Sequence, residues 1–318
     1  MKPKVLLTHK LFPEAIDLIK QVAEIEFCSP GRSPEKSEII QKIRDKQGLL
    51  CLLTDTIDKE IIEAAPYLKV IANCAVGYNN IDVEYAHSRG IYVTNTPGVL
   101  TETTADTTWA LLLAVARRIP EADRFTREGR FTGWRLDLFL GQEVTGKQLG
   151  IIGMGRIGRA VAARAKGFQM KIVYTDPHPL PAEEEKRLQA KRVSLDELLK
   201  TSDYVTIHTA LTPQTYHLIS ARELSLMKKE AILINVSRGP VVDEKALVAA
   251  LEKKEIWGAG LDVYEQEPLI EEKLLHLDNV VLLPHIGSAS RETRLKMALT
   301  AARNLIQGIQ GKRPENSV

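Results

Sequence analysis

Cysteine is scarce in this chain: Cys28, Cys51 and Cys74 are the three among 318 residues, and they are widely separated. None forms a CxxC or stands at ligand spacing from a histidine. No disulfide framework and no metal site are therefore expected, and the thiols read as buried groups in a reducing compartment. Long apolar runs are missing as well. No stretch approaches the ~20 residues that a bilayer requires, and Met1-Lys2-Pro3-Lys4 leads into a strand rather than the apolar region of a signal peptide. Charge of one sign is equally absent, since 43 Lys and Arg against 41 Asp and Glu leave a net +2 without blocks. That excludes an electrostatic case for nucleic acid and leaves room for local recognition of a small anion. A cytoplasmic protein with no membrane and no nucleic-acid partner is expected.

What is present is a chain long enough for two domains, with 44% hydrophobic residues to fill two cores. Short β-type runs alternate with amphipathic stretches: Val5 to Thr8, Ile25 to Phe27, Leu49 to Leu53, Val70 to Cys74 and Ile91 to Thr94. That alternation predicts an open parallel α/β unit. Thr101 offers a helix N-cap, and the run Trp109 to Ala116 predicts a buried helix stopping at Pro120. A second α/β unit follows, and a last helix carries Leu295, Leu299, Ala302, Leu305, Ile306 and Ile309 on one face before Gly311. Between the units, residues 121–146 hold Phe125, Phe131, Trp134, Leu136, Leu138, Phe139 and Leu140 among Arg and Asp. So many large apolar groups in a connecting arm suggest an oligomer interface, that of a homodimer, over a loop folded onto its own core.

The second unit opens with an apolar run into Gly153-Met154-Gly155-Arg156-Ile157-Gly158. Gly153 permits the tight turn out of the strand, Gly155 lets the backbone approach a pyrophosphate, and Gly158 lets the new helix pack closely. The N–H groups and dipole of that helix suit phosphate. A GxGxxG run alone also fits an ordinary glycine-rich loop. Here a second strand, Lys171 to Thr175, ends at Asp176, where an acid should meet ribose hydroxyls and repel a 2′-phosphate. NAD(H) is expected ahead of NADP(H). The alternative, that Asp176 caps a turn before Pro177, stays open.

Three later strand ends deliver polar groups. Ala231 to Val236 is followed by Ser237-Arg238-Gly239, Gly258 to Leu261 by Asp262-Val263-Tyr264-Glu265-Gln266-Glu267-Pro268, and Val280 to Leu283 by Pro284-His285. An Arg fork suits a carboxylate. Hydride transfer to a ketone makes an alkoxide that needs a proton donor, and histidine supplies one near neutral pH when a carboxylate orients it. His208 and His217 rival His285 for that role, and spacing does not choose among them.

Four ordered motifs, Gly153 to Gly158, Asn235 to Gly239, Gly260 to Pro268 and Leu283 to Ser288, resemble the D-2-hydroxyacid dehydrogenase family over nearly the whole chain. The resemblance implies two doubly wound parallel-sheet domains: a Rossmann NAD-binding domain, residues 99–288, inserted into a discontinuous flavodoxin-like substrate domain, residues 1–98 and 289–318. It implies His285 as acid/base, Glu267 as its partner, and Arg238 as the group anchoring the carboxylate and polarising the carbonyl. Backbone N–H groups at Val76 and Gly77 would take the substrate carboxylate. Asp262 would meet the nicotinamide carboxamide, Thr101 and His208 would line the cofactor cleft with Val236, Ser237 and Gly287, and Arg156 with Ile157 would sit under the pyrophosphate.

Leu52 to Asp55, Gly98 to Glu102 and Phe131 to Trp134 resemble the glyoxylate and hydroxypyruvate reductase branch. Leu53 would suit a small substituent and Trp134 would close the pocket. Asn79 and Ala210 stand where that pattern more often has Asp and Pro. The implied activity is reduction of a small 2-keto acid, with D-lactate or another D-2-hydroxyacid dehydrogenase as the alternative. From another class, an NAD-sensing, corepressor-like binding protein would keep the same motifs.

Overall fold

The computed structural model describes residues 2–29 and 33–318, so Met1, where the reading of the chain's start begins, lies outside the described residues. Two compact units divide the chain, Met1–Leu100 with Ala289–Val318, and Thr101–Ser288.

The first unit is built on β1 (Lys4–Leu7), β2 (Glu24–Phe27), β3 (Gly48–Cys51), β4 (Val70–Asn73) and β5 (Tyr92–Thr94). All are parallel, in the order β2-β1-β3-β4-β5, the flavodoxin-like arrangement. Every residue of β3 and β4 is buried, because a parallel sheet is covered on both faces and its central strands read as continuous apolar runs. Ile39, Ile43, Ile61, Ile62 and Ala86 from three helices cover one face. Ala15 and Ile19 of the Pro13–Val22 helix cover the other, with Met297, Ala298, Ala301, Ala302, Leu305 and Ile309 of the terminal Arg291–Ile309 helix.

That last helix lies hard against the sheet: a Cβ on Gly308 would fall 2.4 Å from Val70 Cβ. The tail beyond it returns to β5, where Val318 N–H donates to Val93 O at 3.0 Å. Val99 and Leu100 also pack on this core, so the unit runs to Leu100 rather than to residue 98.

The second unit contains β6 (Gln148–Ile152), β7 (Lys171–Thr175), β8 (Ala190–Arg192), β9 (Tyr204–Ile207), β10 (Ile232–Asn235), β11 (Gly258–Leu261) and β12 (Val280–Leu282). They form one parallel sheet in the order β12-β11-β10-β9-β6-β7-β8. Strand order reverses between β6 and β9, which places a ligand crevice at the carboxyl ends there. The Thr101–Ala116 helix is buried against this sheet. Gly258 and Gly260 make room for it, since a Cβ on either would come within 3.1–3.2 Å of Val115 or Leu111.

Three local expectations are corrected. Thr101 is the first helical residue rather than the cap outside it, because the chain has already turned at Gly98, φ +82°. Pro120 sits in the first turn of a further helix, Ile119–Arg127, and the preceding helix ends instead at Ala116, two residues before the left-handed Arg118; proline is suited to a helix start, where its missing N–H has no partner to lose. The connecting arm is accordingly helical in its first part. Phe125 and Phe139 meet edge to face at 5.2 Å, while Phe131, Trp134, Leu136 and Leu140 remain exposed.

Candidate active site

The glycine loop lies between β6 and the Arg156–Ala165 helix, with Gly155 at the N-cap. Gly153 has φ +92°, and a Cβ there would lie 2.7 Å from the His208 carbonyl carbon. A Cβ on Gly158 would lie 2.2 Å from Gly153 O, so the helix crosses the strand at contact distance. Gly155 differs: nothing lies within 4 Å of its Cβ position, which leaves open space over the helix N-terminus where a phosphate would be held. Arg156 is exposed at the first turn, and Ile157 packs partly into the core.

Asp176 ends β7 with both carboxylate oxygens engaged, one by Met154 N–H at 2.7 Å and the other by His178 N–H at 2.8 Å. It therefore ties the glycine loop and also caps its own turn. Each oxygen retains a further lone pair for a hydroxyl. Arg159 Nε donates to Met154 O at 3.1 Å and pairs with Glu184, and Arg192 donates to Asp176 O at 2.8 Å. Both arginines brace the loop from behind and neither stands out in the sequence, where they are ordinary surface cations.

His208 follows β9. Its Nε2 lies 2.9 Å from Thr206 Oγ1, and its Nδ1 is buried with no hydrogen-bond partner among the described residues. Burial pulls its pKa down to about 3, so the ring is neutral and is removed from the contest for proton donor. An orphaned buried nitrogen beside the glycine loop, together with the open space at Gly155, fits a dinucleotide.

Arg238, Glu267 and His285 all belong to this unit. Asn235, the last residue of β10, accepts from Ser237 N–H at 3.0 Å and Ser237 Oγ at 2.9 Å, and donates to Arg238 O at 3.0 Å. This Asx turn fixes the Ser237-Arg238 bend. Val236 is buried in the core below it. Arg238 Nη1 donates to Ser237 O at 2.7 Å. Burial lowers its pKa and Glu267 opposes that, yet a guanidinium stays charged.

His285 Nδ1 lies 2.8 Å from Glu267 Oε2, and Tyr264 N–H donates to Glu267 Oε1 at 3.1 Å. Burial pushes the Glu267 carboxyl up, but His285, the Tyr264 amide and Arg238 outweigh it and hold it below the usual range. An ionised carboxylate only accepts, so Nδ1 carries the proton and Nε2 is left for a reacting oxygen.

His285 adopts φ 53°, left-handed and unusual for a non-glycine residue. Asp262 holds it there. The carboxylate is 1% exposed, with Oδ1 accepting from Ile286 N–H and Oδ2 from Gly287 N–H, both at 2.7 Å. Its pKa is raised by burial against those two amides. Asp262 thus grips the histidine loop, a role that the expected carboxamide contact did not include. His217, the other rival, pairs with Glu265 at 3.0 Å rather than with the triad.

Of the remaining expected residues, Leu53, Val76 and Gly77 belong to the first unit, and Trp134 and Thr101 to the second. Leu53 is partly buried in the turn after β3. Val76 and Gly77 follow β4, with their carbonyls held by Asn95 Nδ2 at 2.8 Å and Asn73 Nδ2 at 2.9 Å. Trp134 stands 80% exposed on the arm. Thr101 lies partly buried at its helix start. Among the described residues no group of His, Cys, Asp and Glu could hold a metal ion.

Residues 109–287 match the model of the D-isomer specific 2-hydroxyacid dehydrogenase NAD binding domain. The glyoxylate reductase of Thermococcus litoralis is 52% identical over 322 aligned residues, covering 100% of this chain and 97% of that protein. The glyoxylate reductase of Korarchaeum cryptofilum is 51% identical, covering 100% and 96%. Among solved structures, a glyoxylate reductase from Paecilomyes thermophila superposes with a TM-score of 0.90 at 34% identity, covering 100% of this chain and 98% of that one. The likeness to these relatives spans both units, and the chain belongs to the D-isomer specific 2-hydroxyacid dehydrogenase family.

Proposed function

We propose that the protein is a nicotinamide-dependent reductase of small 2-keto acids, converting glyoxylate to glycolate and hydroxypyruvate to D-glycerate, with NAD(H) preferred and NADP(H) tolerated. The observation that carries the proton-transfer role is the 2.8 Å pair of His285 Nδ1 and Glu267 Oε2. Gly153, Gly155, Gly158 and the helix start at Arg156 would hold the dinucleotide phosphates, with Asp176 at the ribose. A bound nicotinamide supplies the hydride. Arg238 grips the substrate carboxylate with two parallel N–H groups and draws charge toward the carbonyl oxygen. As that oxygen becomes an alkoxide, His285 Nε2–H gives it a proton, and Glu267 stabilises the ring through the change. Val76 and Gly77, through their backbone, together with Leu53 and Trp134, are proposed as further substrate residues by resemblance to the family.

Two finer statements join this reading. The exposed Phe131, Trp134, Leu136 and Leu140 make the arm an interface with a second copy. The unpaired thiols of Cys28, Cys51 and Cys74 suit the reducing cytoplasm.

The test is loss of reduced-nicotinamide absorbance with glyoxylate, hydroxypyruvate or pyruvate, each offered NADH or NADPH. Rapid NADH oxidation with the first two is expected. Preference for pyruvate would point to a lactate-type enzyme, and silence on every 2-keto acid would overturn the reductase reading. The same preparation should scatter light as twice the 35.4 kDa of one chain; a monomer would refute the arm's role.

A further inference from the structure

The loops that carry Arg238 and Glu267 are fastened together away from the reacting centre. A Cβ on Gly239 would fall 1.8 Å from Tyr264 O and 2.5 Å from Glu265 N, so the two backbones touch one residue beyond Arg238. Glu244, in the first turn of the Glu244–Glu252 helix, and Glu265 exchange bonds reciprocally. Glu244 N–H donates to Glu265 Oε2 at 3.2 Å, and Glu265 N–H donates to Glu244 Oε1. His217 spans the same junction. Its own N–H donates to Pro240 O at 2.8 Å, and its Nε2 lies 3.0 Å from Glu265 Oε1. The ring stacks on Tyr216 at 4.1 Å, and its Nδ1 is 3.9 Å from Asp243 Oδ2. Both Glu265 oxygens are thereby occupied, two residues before Glu267 on one short loop.

A buried carboxylate is a costly way to join two loops that apolar packing could join. Burial raises the Glu244 pKa, and His217 takes a left-handed φ of 50° to make its contacts. Such expense is intelligible where relative position matters within a few tenths of an ångström.

We propose that His217 and Glu265 are positioning residues for the reduction, a brace that keeps the Glu267 and His285 pair in register with Arg238. The inference rests on the reductase reading above. Neither residue touches the reacting atoms; each acts through the loop it pins.

The experiment uses the full chain with His217→Phe, Glu265→Gln and the double variant, after the wild type has been shown to turn over a 2-keto acid. His217→Phe keeps the stack on Tyr216 and removes the Nε2 contact. Each single variant should lower kcat about 10- to 100-fold, the range expected for small misplacements of reacting groups. The double variant should lose little more than either single, because the two act as one unit. KM for the keto acid should stay within twofold, since Arg238 still holds the carboxylate while the proton donor is misplaced. NADH affinity, read by nicotinamide fluorescence, should stay within twofold.

Wild-type kcat in both single variants would overturn the brace while leaving the reductase reading intact. A lower kcat accompanied by an equal rise in KM and equal losses of NADH affinity and melting temperature would also overturn it, in favour of a purely structural contact. A wild-type chain that reduces no 2-keto acid would remove the reading beneath it.

Discussion

At the scale of single residues, the proposed chemistry concentrates on a histidine held in a conformation it would not choose. His285→Ala should reduce kcat about 10²- to 10⁴-fold, the usual worth of general acid catalysis, while NADH still binds; stopped-flow turnover beside fluorescence titration separates the two. Retained turnover would remove His285 from the acid role. Arg238→Lys should raise KM for the keto acid more than Kd for NADH, because an ammonium cannot make the planar two-pronged contact. The glycine spacing made the dinucleotide loop legible in the sequence, since each position has a steric reason that survives without coordinates. The proposed proton donor was not legible from spacing. His208 and His285 follow apolar strands while His217 follows a polar turn, and only the fold reveals that His208 is buried and neutral, that His217 pairs with Glu265, and that His285 faces Glu267. Asp262 was marked by its motif, but its grip on the Ile286 and Gly287 amides depends on two strand ends meeting in space, about which a linear chain says nothing.

Among elements, β6 and β9 meet at the switch point, and His208 joins them through its N–H to Ile152 O at 2.7 Å. With a folded pKa of about 3 against an ordinary 6.5, His208 takes up a proton in the unfolded chain before it does so in the folded one. Stability contributed by this site is complete above pH 6.5 and declines as pH falls from 6.5 toward 3. Between pH 7.5 and 5.0 the wild type should lose about 2 kcal/mol more than His208→Gln in denaturant titrations, from about 1.4 kcal/mol per unit over the titrating window. Parallel losses in the two proteins would contradict this. Most strands were visible as apolar runs within a residue or two of their ends. The helix boundaries at Thr101 and Pro120 were not, because a proline that starts one helix and a proline that stops another look identical until the left-handed Arg118 separates them.

For the molecule as a whole, the order of the chain differs from the order of its cores. Thr101–Ser288 is contiguous and encloses its own two apolar clusters. Expressed alone, it should unfold cooperatively and bind NADH within about tenfold of the full chain; a fragment that shows no cooperative transition would refute its independence. Met1–Leu100 should not fold without Ala289–Val318, whose helix covers one face of the first sheet together with the Pro13–Val22 helix. Periodicity identified that helix but could not show which sheet it returns to, since burial patterns carry no address. The return has a consequence during synthesis. The first five strands leave the ribosome before 188 residues of the other unit, counting from 101 through 288, and at common elongation rates that interval lasts roughly 10–40 s. Throughout it, the face of β3 and β4 lacks the terminal helix that will set Leu305 and Ile309 against it, which makes the nascent protein a natural client for a holding chaperone.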